Sequence, residues 1–466
     1  MTKLVAFPIN ISIYTEGDNM KWILLLSMLS MSVFATTDKA PHNFQIKNTK
    51  AVFVDFKNIN ATITYDLNLK EVIAESIIEF TVDEQGQPIF DLVPSIESAY
   101  LDGVEVTISS ISAPDKSTDY RLVNKILKPG TYSLIVKNKI SENVSFSSDY
   151  VSSAFWMSDL SDRQYIEQYL PTNLEYDQYG LSLTVEINGS KKLASHEIFT
   201  NGNLTKTSEN KFQIQFPSYF TASSFFFHLT KEDRFSKVQF DYKSIIGKTI
   251  PVVIYASSSW SLNSAKKSTI QVLDELEQKL GPWSHPSLTI YLAGQGGMEH
   301  SGATMTSLWA LQHEITHSYF ARGVMPVDGN SGWMDEAIAS WRDDGYKSVS
   351  SPNFSSTSMS GHSMYRRHTD RKAYTQGANF MAYLNNRLED QGGLIKFLSF
   401  MHLTYTHHTI STKDFVNSLL LFTGIDFTNE FAQYVYGKNL KHDKDHSHEE
   451  NPYHPKLTKK QLKDLL

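Results

Sequence analysis

The most informative stretch of the chain is HEITHSYFARGVMPVDGNSGWMDEAIASW, residues 313–341. It opens with the pattern HExxH, in which His313 and His317 are four residues apart and Glu314 lies between them. Positions i and i+4 share one face of a helix, so both imidazoles can bind one metal ion while Glu314 reaches a water beside it. The pentapeptide alone also fits a buried helix with two hydrogen-bonded histidines, and both interpretations stay open at this point.

A carboxylate further along the chain strengthens the metal interpretation. Eighteen residues separate His317 from Glu336 in the segment GWMDEAIASW. A helix, a short connection and a second helix would return Glu336 to the first helix, with Met334, Ile338 and Trp341 on the packed side. A catalytic zinc site uses three protein ligands and one open position. We therefore expect Glu336 to be the third ligand rather than a solvated acid at a helix start.

Composition limits the classes of function that need considering. The chain has 466 residues, so two or three domains are expected. Apolar residues make up 41% and aromatic residues 12%, which is typical of a packed globular protein. A net charge of −7 without a basic stripe gives no support for a nucleic-acid partner. There are no cysteines, so any metal must be bound by His, Asp or Glu.

The hydrophobic periodicity differs between two parts of the chain and predicts an α+β fold. Residues 40–235 alternate with period two, which predicts an antiparallel β-rich domain. Residues 236–437 begin with strand patterns and turn helical in SLWALQHEITHSYFAR, WMDEAIASWRDD, TQGANFMAYLNNRLED and LIKFLSFMHLTY. Residues 438–466 are charged and histidine-rich, a composition that favours a solvated tail over a weak metal site.

The N-terminal segment predicts export. From Met20 the sequence reads MKWILLLSMLSMSVFATTDK, with one lysine, an apolar run and small residues near Ala35. Such a run is short for a membrane span and typical of a cleaved secretory signal. Glu16 and Asp18 are unusual in front of a signal, which favours Met20 as the start. We expect residues 1–35 to be removed, leaving a periplasmic or secreted protein without a membrane span.

Three motifs in order resemble the gluzincin zinc aminopeptidases, the family of aminopeptidase N and leukotriene hydrolase. HEITHSYFARGVMP…GWMDEAIASW is similar to the family's HExxH-x18-E pattern. GGMEH at 296–300 resembles its Gly-x-Met-Glu-Asn motif, and AYTQGANF at 373–380 resembles its Tyr-x-x-Gly-Ala segment. The resemblance implies a saddle-like antiparallel β domain followed by a thermolysin-like, mainly helical zinc peptidase domain.

The resemblance also implies roles for the residues that match these motifs. One Zn²⁺ ion would be bound by His313, His317 and Glu336. Glu314 would act as general base toward a zinc-activated water, and Tyr374 would donate a hydrogen bond to the oxyanion. The implied activity is release of N-terminal residues from peptides.

Substrate binding is implied for the segment before the HExxH motif. Glu299 would hold the free α-amine of a peptide, and Gly296, Gly297 and Met298 would contact its backbone. Residues 303–307 would pair with the peptide as the edge of a sheet. The expected substrates are therefore peptides with a free N-terminus.

Several departures from the family pattern keep alternatives open. His300 replaces the motif's asparagine, as in the neighbouring glycyl aminopeptidases, and only thirteen residues lie between Glu299 and His313. A second amine-binding acid would be Asp159, Asp162 or Glu167. Because little chain follows residue 437, we expect no helical C-terminal domain and a more open cleft.

An open cleft would also suit a zinc endopeptidase or another hydrolase on the same zinc site. A non-catalytic binding protein with the same fold is a further alternative. The sequence does not indicate an oligomeric state.

Overall fold

The computed structural model describes residues 39–158, 164–189, 193–366 and 368–438. Residues 1–35 with Met20, the candidates Asp159 and Asp162, and the tail beyond residue 438 lie outside the described residues, so the predictions for them stay predictions. The described residues belong to one compact unit.

The first part of the chain is built of strands. They are β1 (Phe44–Ile46), β2 (Thr49–Phe53), β3 (Asp55–Asp66), β4 (Glu71–Val82), β5 (Gln87–Phe90), β6 (Ile96–Leu101), β7 (Val104–Glu105), β8 (Ile108–Ser112), β9 (Asp119–Val123), β10 (Gly130–Lys139), β11 (Val144–Phe146), β12 (Val151–Ala154), β13 (Gly180–Asn188), β14 (His196–Thr200), β15 (Asn203–Ser208), β16 (Lys211–Gln215) and β17 (Phe227–Lys231).

These strands form three sheets, in the orders β1-β2-β5-β9-β8, β15-β16-β13-β3-β4-β10-β6-β7 and β11-β12-β17-β14. Alternation along β13 shows why the sheets form: Leu181, Leu183 and Val185 are buried while their neighbours are partly exposed. The expected antiparallel pairing is found, except that β3–β13 and β2–β5 pair in parallel.

The second part mixes strands and helices. Its elements are β18 (Ser236–Lys243), β19 (Thr249–Ala256), α1 (Leu262–Leu280), β20 (Leu288–Leu292), β21 (Gly297–His300), β22 (Ala303–Thr306), α2 (Leu311–Thr316), β23 (Val324–Pro326), α3 (Trp333–Asp343), α4 (Ala378–Arg387), α5 (Gly393–Tyr405), β24 (His408–Ile410), α6 (Thr412–Thr423) and α7 (Thr428–Tyr434). A π-helical turn over Ala373–Gly377 precedes α4.

A five-stranded sheet, ordered β18-β19-β20-β22-β21, supports the helices of this part. Helix α1 packs on it with Leu273 and Leu276, which are both fully buried. Helix α3 is anchored in the same core by Trp333 and Trp341. Helix α2, which carries the HExxH pattern, is held in the same core by Leu311 and Ile315, so that it lies beside α3 with Glu336.

The structure corrects two sequence expectations. The helix predicted over SLWALQHEITHSYFAR extends only over α2, and turns flank it on both sides. Residues 303–307 do not form a sheet edge, because β22 is hydrogen-bonded to β20 on one side and to β21 on the other. The edge strand is β21, which contains most of the GGMEH motif.

Among the described residues, no helix is both long and apolar enough to cross a bilayer.

Candidate active site

The two histidines of the HExxH pattern lie one helical turn apart. His313 is in α2, and His317 caps its C-terminal end with helical backbone angles of −60° and −21°. The ring centroids are therefore only 4.8 Å apart, although the helix is short. Glu336 lies in the first turn of α3, where its side chain is buried against both rings.

Three ligand atoms converge at this point. Nε2 of His313 lies 3.1 Å from Oε2 of Glu336, and Nε2 of His317 lies 3.6 Å from the same oxygen. Two atoms bound ~2.0–2.2 Å from one zinc ion at a tetrahedral angle lie about 3.4 Å apart. Both separations are close to that value, so the donor set of two imidazoles and one carboxylate fits a zinc ion.

Opposite charges shift the pKa values of the three groups. Burial lowers the pKa of His313, but Asp343 and Glu336 reverse this and raise it to about 9. Burial also lowers the pKa of His317, but the charges of Glu336 and Glu299 outweigh it and hold that pKa well above its ordinary value. Burial raises the pKa of Glu336, and the two histidines outweigh it and lower that pKa.

A carboxylate that the sequence interpretation missed supports the first histidine. Asp343, at the end of α3, accepts a hydrogen bond from Nδ1 of His313 at 2.6 Å. Arg342 donates to the other oxygen of Asp343 at 3.1 Å. Such a carboxylate fixes the ring and leaves Nε2 free for a metal. Asp343 lies seven residues after Glu336 on the same helix, so helical spacing alone would have indicated it.

Glu314 occupies the position expected of a general base. Its side chain is buried, and burial raises its pKa to about 8 against the opposing effect of His317. Ligand atoms of Glu314, His317 and Glu299 lie within 4.8 Å of one another. The carboxylate packs directly on Gly297, where any Cβ would overlap it. A side chain at Gly297 would therefore displace the carboxylate of Glu314.

Tyr374 lies beside the metal-ligand candidates. It belongs to the π-helical turn over residues 373–377, a conformation that is frequent at functional sites. Its hydroxyl donates to Oε1 of Glu336 at 2.6 Å, and its ring is parallel to that of His313 at 6.2 Å. The structure therefore joins the HExxH, Glu336 and YTQGA motifs in one place.

Glu299 has a partner that the sequence did not reveal. Nη2 of Arg322 donates to Oε1 of Glu299 at 2.8 Å, and both side chains are almost fully buried. Arg322 also donates to Ser223, which lies between β16 and β17. The carboxylate expected to hold a substrate amine is thus already paired with a cation. Nothing in the sequence distinguishes Arg322 from an ordinary surface arginine.

The other residues of the GGMEH segment separate into two groups. Gly296 and Gly297 are exposed at the edge strand, where their backbone is accessible. Met298 packs in the core of the β-rich part, so its side chain does not face the open edge. His300 is buried and donates from Nδ1 to the Phe225 carbonyl at 2.8 Å, away from the metal-ligand candidates.

Glu167 is the described candidate for a second amine-binding acid. It lies in a short 3-10 turn over Ile166–Gln168, and its Oε1 accepts a hydrogen bond from the backbone of Tyr165. The ring of Tyr165 lies 6.0 Å from the guanidinium of Arg322. The turn therefore lies near the partner of Glu299.

Comparison of the whole structure with solved structures gives matches over most of the chain. A variant of an M1 zinc metallopeptidase from Deinococcus radiodurans, bound to a Tyr-Ser-Ala substrate, is 15% identical with a TM-score of 0.59, covering 87% of this chain and 98% of that one. Native yeast LTA4 hydrolase is 11% identical with a TM-score of 0.59, covering 84% and 69%.

Aminopeptidase A of Legionella pneumophila, in complex with aspartic acid, is 12% identical with a TM-score of 0.62, covering 85% of this chain and 51% of that one. No protein-family profile matches the sequence, and no curated protein sequence does either. The chain thus has the fold of the M1 zinc metallopeptidases, with a β-rich part followed by a part rich in helices.

Proposed function

We propose that this protein is a zinc metallopeptidase that acts as an aminopeptidase. The observation that carries the proposal is the convergence of Nε2 of His313, Nε2 of His317 and Oε2 of Glu336 at separations suited to zinc, with Glu314 beside them. Solved structures of the same fold are zinc metallopeptidases, one of them with a bound tripeptide substrate.

In the proposed reaction, His313, His317 and Glu336 would hold one zinc ion, which would supply Lewis-acid polarisation and make a water molecule acidic near neutral pH. Glu314 accepts the proton of the attacking water and later delivers it to the leaving amine. A buried carboxylate with a raised pKa suits this exchange.

Tyr374 donates a hydrogen bond to the oxyanion that develops on the scissile carbonyl. To do so, its hydroxyl must turn from Oε1 of Glu336 toward the substrate. The exposed backbone of Gly297 in β21, and of Gly296 directly before it, binds the peptide as an added strand. Glu299 anchors the α-amine, and this anchor limits cleavage to the first peptide bond.

The ion pair of Glu299 with Arg322 favours a second candidate, an endopeptidase with an open cleft. A carboxylate whose charge is compensated by a buried arginine attracts an ammonium group less strongly than an unpaired one. The two candidates share the same zinc chemistry and differ only in whether a free α-amine is needed.

Matched peptides with free or acetylated N-termini distinguish the candidates. The mature protein is incubated with both sets of peptides, with and without a chelator, and the products are identified by mass spectrometry. Chelator-sensitive removal of single residues from free termini alone supports the aminopeptidase. Internal cleavage of both sets supports the endopeptidase, and no cleavage of either set contradicts both.

A variant of Glu299 tests the anchor directly. Glu299→Gln keeps an acceptor for Arg322, whereas Ala would leave a buried cation unpaired. We expect Glu299→Gln to slow cleavage of free-amine peptides far more than that of acetylated ones. Equal losses on both sets would contradict amine anchoring.

We also propose the finer organisation that the sequence indicates. Residues 40–235 would be a saddle-like domain, residues 236–437 a thermolysin-like catalytic domain, and residues 1–35 a signal removed during export to the periplasm or medium. Mass spectrometry of the mature protein tests the last point, because cleavage after Ala35 predicts Thr36 as the first residue.

A further inference from the structure

A second group of metal-binding side chains lies between α3 and the turn that contains Tyr374. One ligand atom each from His362, His368 and Asp370 lies within 4.8 Å of the others. The two imidazole centroids are 4.5 Å apart with their planes at 68°. This group shares no residue with the candidate active site.

The distance between His362 and Asp370 is better suited to a shared ion than to a direct bond. Nε2 of His362 lies 3.5 Å from Oδ2 of Asp370. A charge-assisted hydrogen bond between these groups would be about 2.7–2.9 Å long. Two ligands on one tetrahedral zinc ion lie about 3.4 Å apart. The separation matches those at the candidate active site, 3.1 and 3.6 Å.

The nitrogen concerned is buried and unsatisfied. Nε2 of His362 is inaccessible to solvent and has no hydrogen-bond partner among the described residues. A buried polar atom without a partner costs free energy, which a bound ion would recover.

The group is held in place by the backbone around it. A Cβ at Gly329 would overlap the backbone of Arg366, and a Cβ at Gly332 would overlap that of His368, so both residues lie tightly against the chain just before α3. Asp370 also supports the start of the π-helical turn. Its Oδ1 accepts a hydrogen bond from the backbone N–H of Lys372, and its carbonyl accepts one from the backbone N–H of Ala373. The cluster thus links the helix that contains Glu336 to the π-helical turn that contains Tyr374.

From this geometry we infer that His362, His368 and Asp370 form a second metal site, which binds a divalent transition metal such as Zn²⁺. Two imidazoles and one carboxylate suit zinc, nickel or cobalt rather than calcium or magnesium. Water completes the coordination. A bound ion joins His362 to His368 and Asp370 in the part of the chain just before Tyr374. Its role is therefore structural.

The number of bound ions tests the site without reference to activity. Full-length protein and its variants are dialysed to equilibrium against buffered free Zn²⁺, and zinc per chain is counted by elemental mass spectrometry. We expect His362→Ala to bind one ion fewer than the unaltered protein. The control is His42→Ala, which removes an exposed histidine outside the cluster and is expected to bind the full number.

A second variant and a second probe guard against misfolding. Asp370→Asn keeps the acceptor for Lys372 but weakens the ligand set, and is expected to lose the same ion. With Co²⁺ as probe, visible absorption of the site is expected to decrease in both cluster variants and not in His42→Ala.

Equal zinc counts in the unaltered protein and in both folded cluster variants would overturn the inference. The candidate active site and the tail histidines are unchanged in these comparisons. The result therefore does not depend on whether the proposed peptidase activity is found.

Discussion

Two groups of buried or half-buried histidines lie close together in this protein, and only one of these two groups has metal-ligand geometry. The acid-paired histidines, His313 and His317, face Glu336 and Asp343. The neutral histidines are His285, His402 and His407. Among the described residues, the groups with metal-ligand geometry include none of these three.

The neutral histidines are held by aromatic rings and hydroxyl or carbonyl groups. His407 stacks on Tyr219 at 3.5 Å, and the Tyr219 hydroxyl lies 3.0 Å from Nδ1 of His285. Burial lowers the pKa of His285 to about 3 and the pKa values of His402 and His407 to about 4. His285 also donates to the carbonyl of Ser318 at 2.8 Å.

The difference between the two groups shows that neighbouring carboxylates determine whether the pKa of a histidine is raised or lowered in this protein. Burial lowers the pKa of histidine in both groups, and only Asp343 and Glu336 reverse that effect at His313. Within the neutral group, His285 supports the site, because its hydrogen bond to the Ser318 carbonyl holds the backbone directly after His317.

The largest expected effect comes from removing one histidine of each group in turn. His317→Ala leaves two protein ligands for zinc at the candidate active site, and we expect loss of the ion bound there and of all measurable peptidase activity. His285→Ala should retain zinc while losing about 1–3 kcal/mol of unfolding free energy, because Ser318 and Tyr219 lose their partner. Zinc content and urea unfolding are measured on both. Zinc loss from His285→Ala would contradict the division into metal-binding, acid-paired histidines and supporting, neutral histidines.

Removing the charge of the general base should separate binding from catalysis. We expect Glu314→Gln to retain zinc and to lose ~3 orders of magnitude in kcat/KM. The amide still fits against Gly297 but cannot accept a proton. Peptide cleavage rates and zinc content are measured together, and normal activity with normal zinc would contradict the mechanism.

A smaller effect is expected from the carboxylate behind His313. Asp343→Asn should weaken zinc binding about 10–100-fold, because the amide holds the imidazole less firmly than a carboxylate does. Competition with a zinc chelator measures the affinity. Asp344→Asn is the matched control, since Asp344 is the next residue, is exposed and pairs only with Lys347 among the ion pairs described. Equal zinc affinity of Asp343→Asn and Asp344→Asn would show that Asp343 does not support zinc binding.

The smallest expected effect concerns acid stability. The pKa of His402 is about 4 in the folded protein and about 6.5 when unfolded. The unfolded chain therefore binds more protons in this range, so stability is full above about pH 6.5 and decreases as the pH falls toward about 4.

His402→Leu should reduce this dependence by up to about 1.4 kcal/mol per pH unit. Urea unfolding at several pH values measures it. The control is His408→Leu, because His408 is an exposed histidine in the strand that follows α5. The same slope in His402→Leu and in His408→Leu would show that the ring of His402 is not buried in its neutral form.

The metal-ligand candidates illustrate how far the sequence could be interpreted. The spacing of His313, His317 and Glu336 predicted one cluster, and the structure places their ligand atoms together. Helical periodicity is a local property, so it carries over to three dimensions whenever the helices form. Period-two alternation predicted the β-rich part for the same reason, and buried residues such as Leu181 and Leu183 follow it.

Features that depend on contacts between distant segments could not be predicted. The ion pair of Arg322 with Glu299 joins the turn after α2 to β21, which lies 23 residues earlier in the chain, and the order of β20, β22 and β21 depends on which strands meet. Helix α2 ends at Thr316, and a turn closed by the bridge between Phe320 and Val324 follows shortly after it. Local patterns contain no information about such partners.

The sequence by itself determined the order of a β-rich and a helical part, and which side chains are available as metal ligands and base. These depend on residue type and on spacing within single elements. Only the tertiary structure decided which carboxylates lie beside which histidines, and hence that His313 is paired with Asp343 while His285 stays neutral. Charge and burial at a side chain are set by its neighbours in space, and packing of remote segments chooses those neighbours.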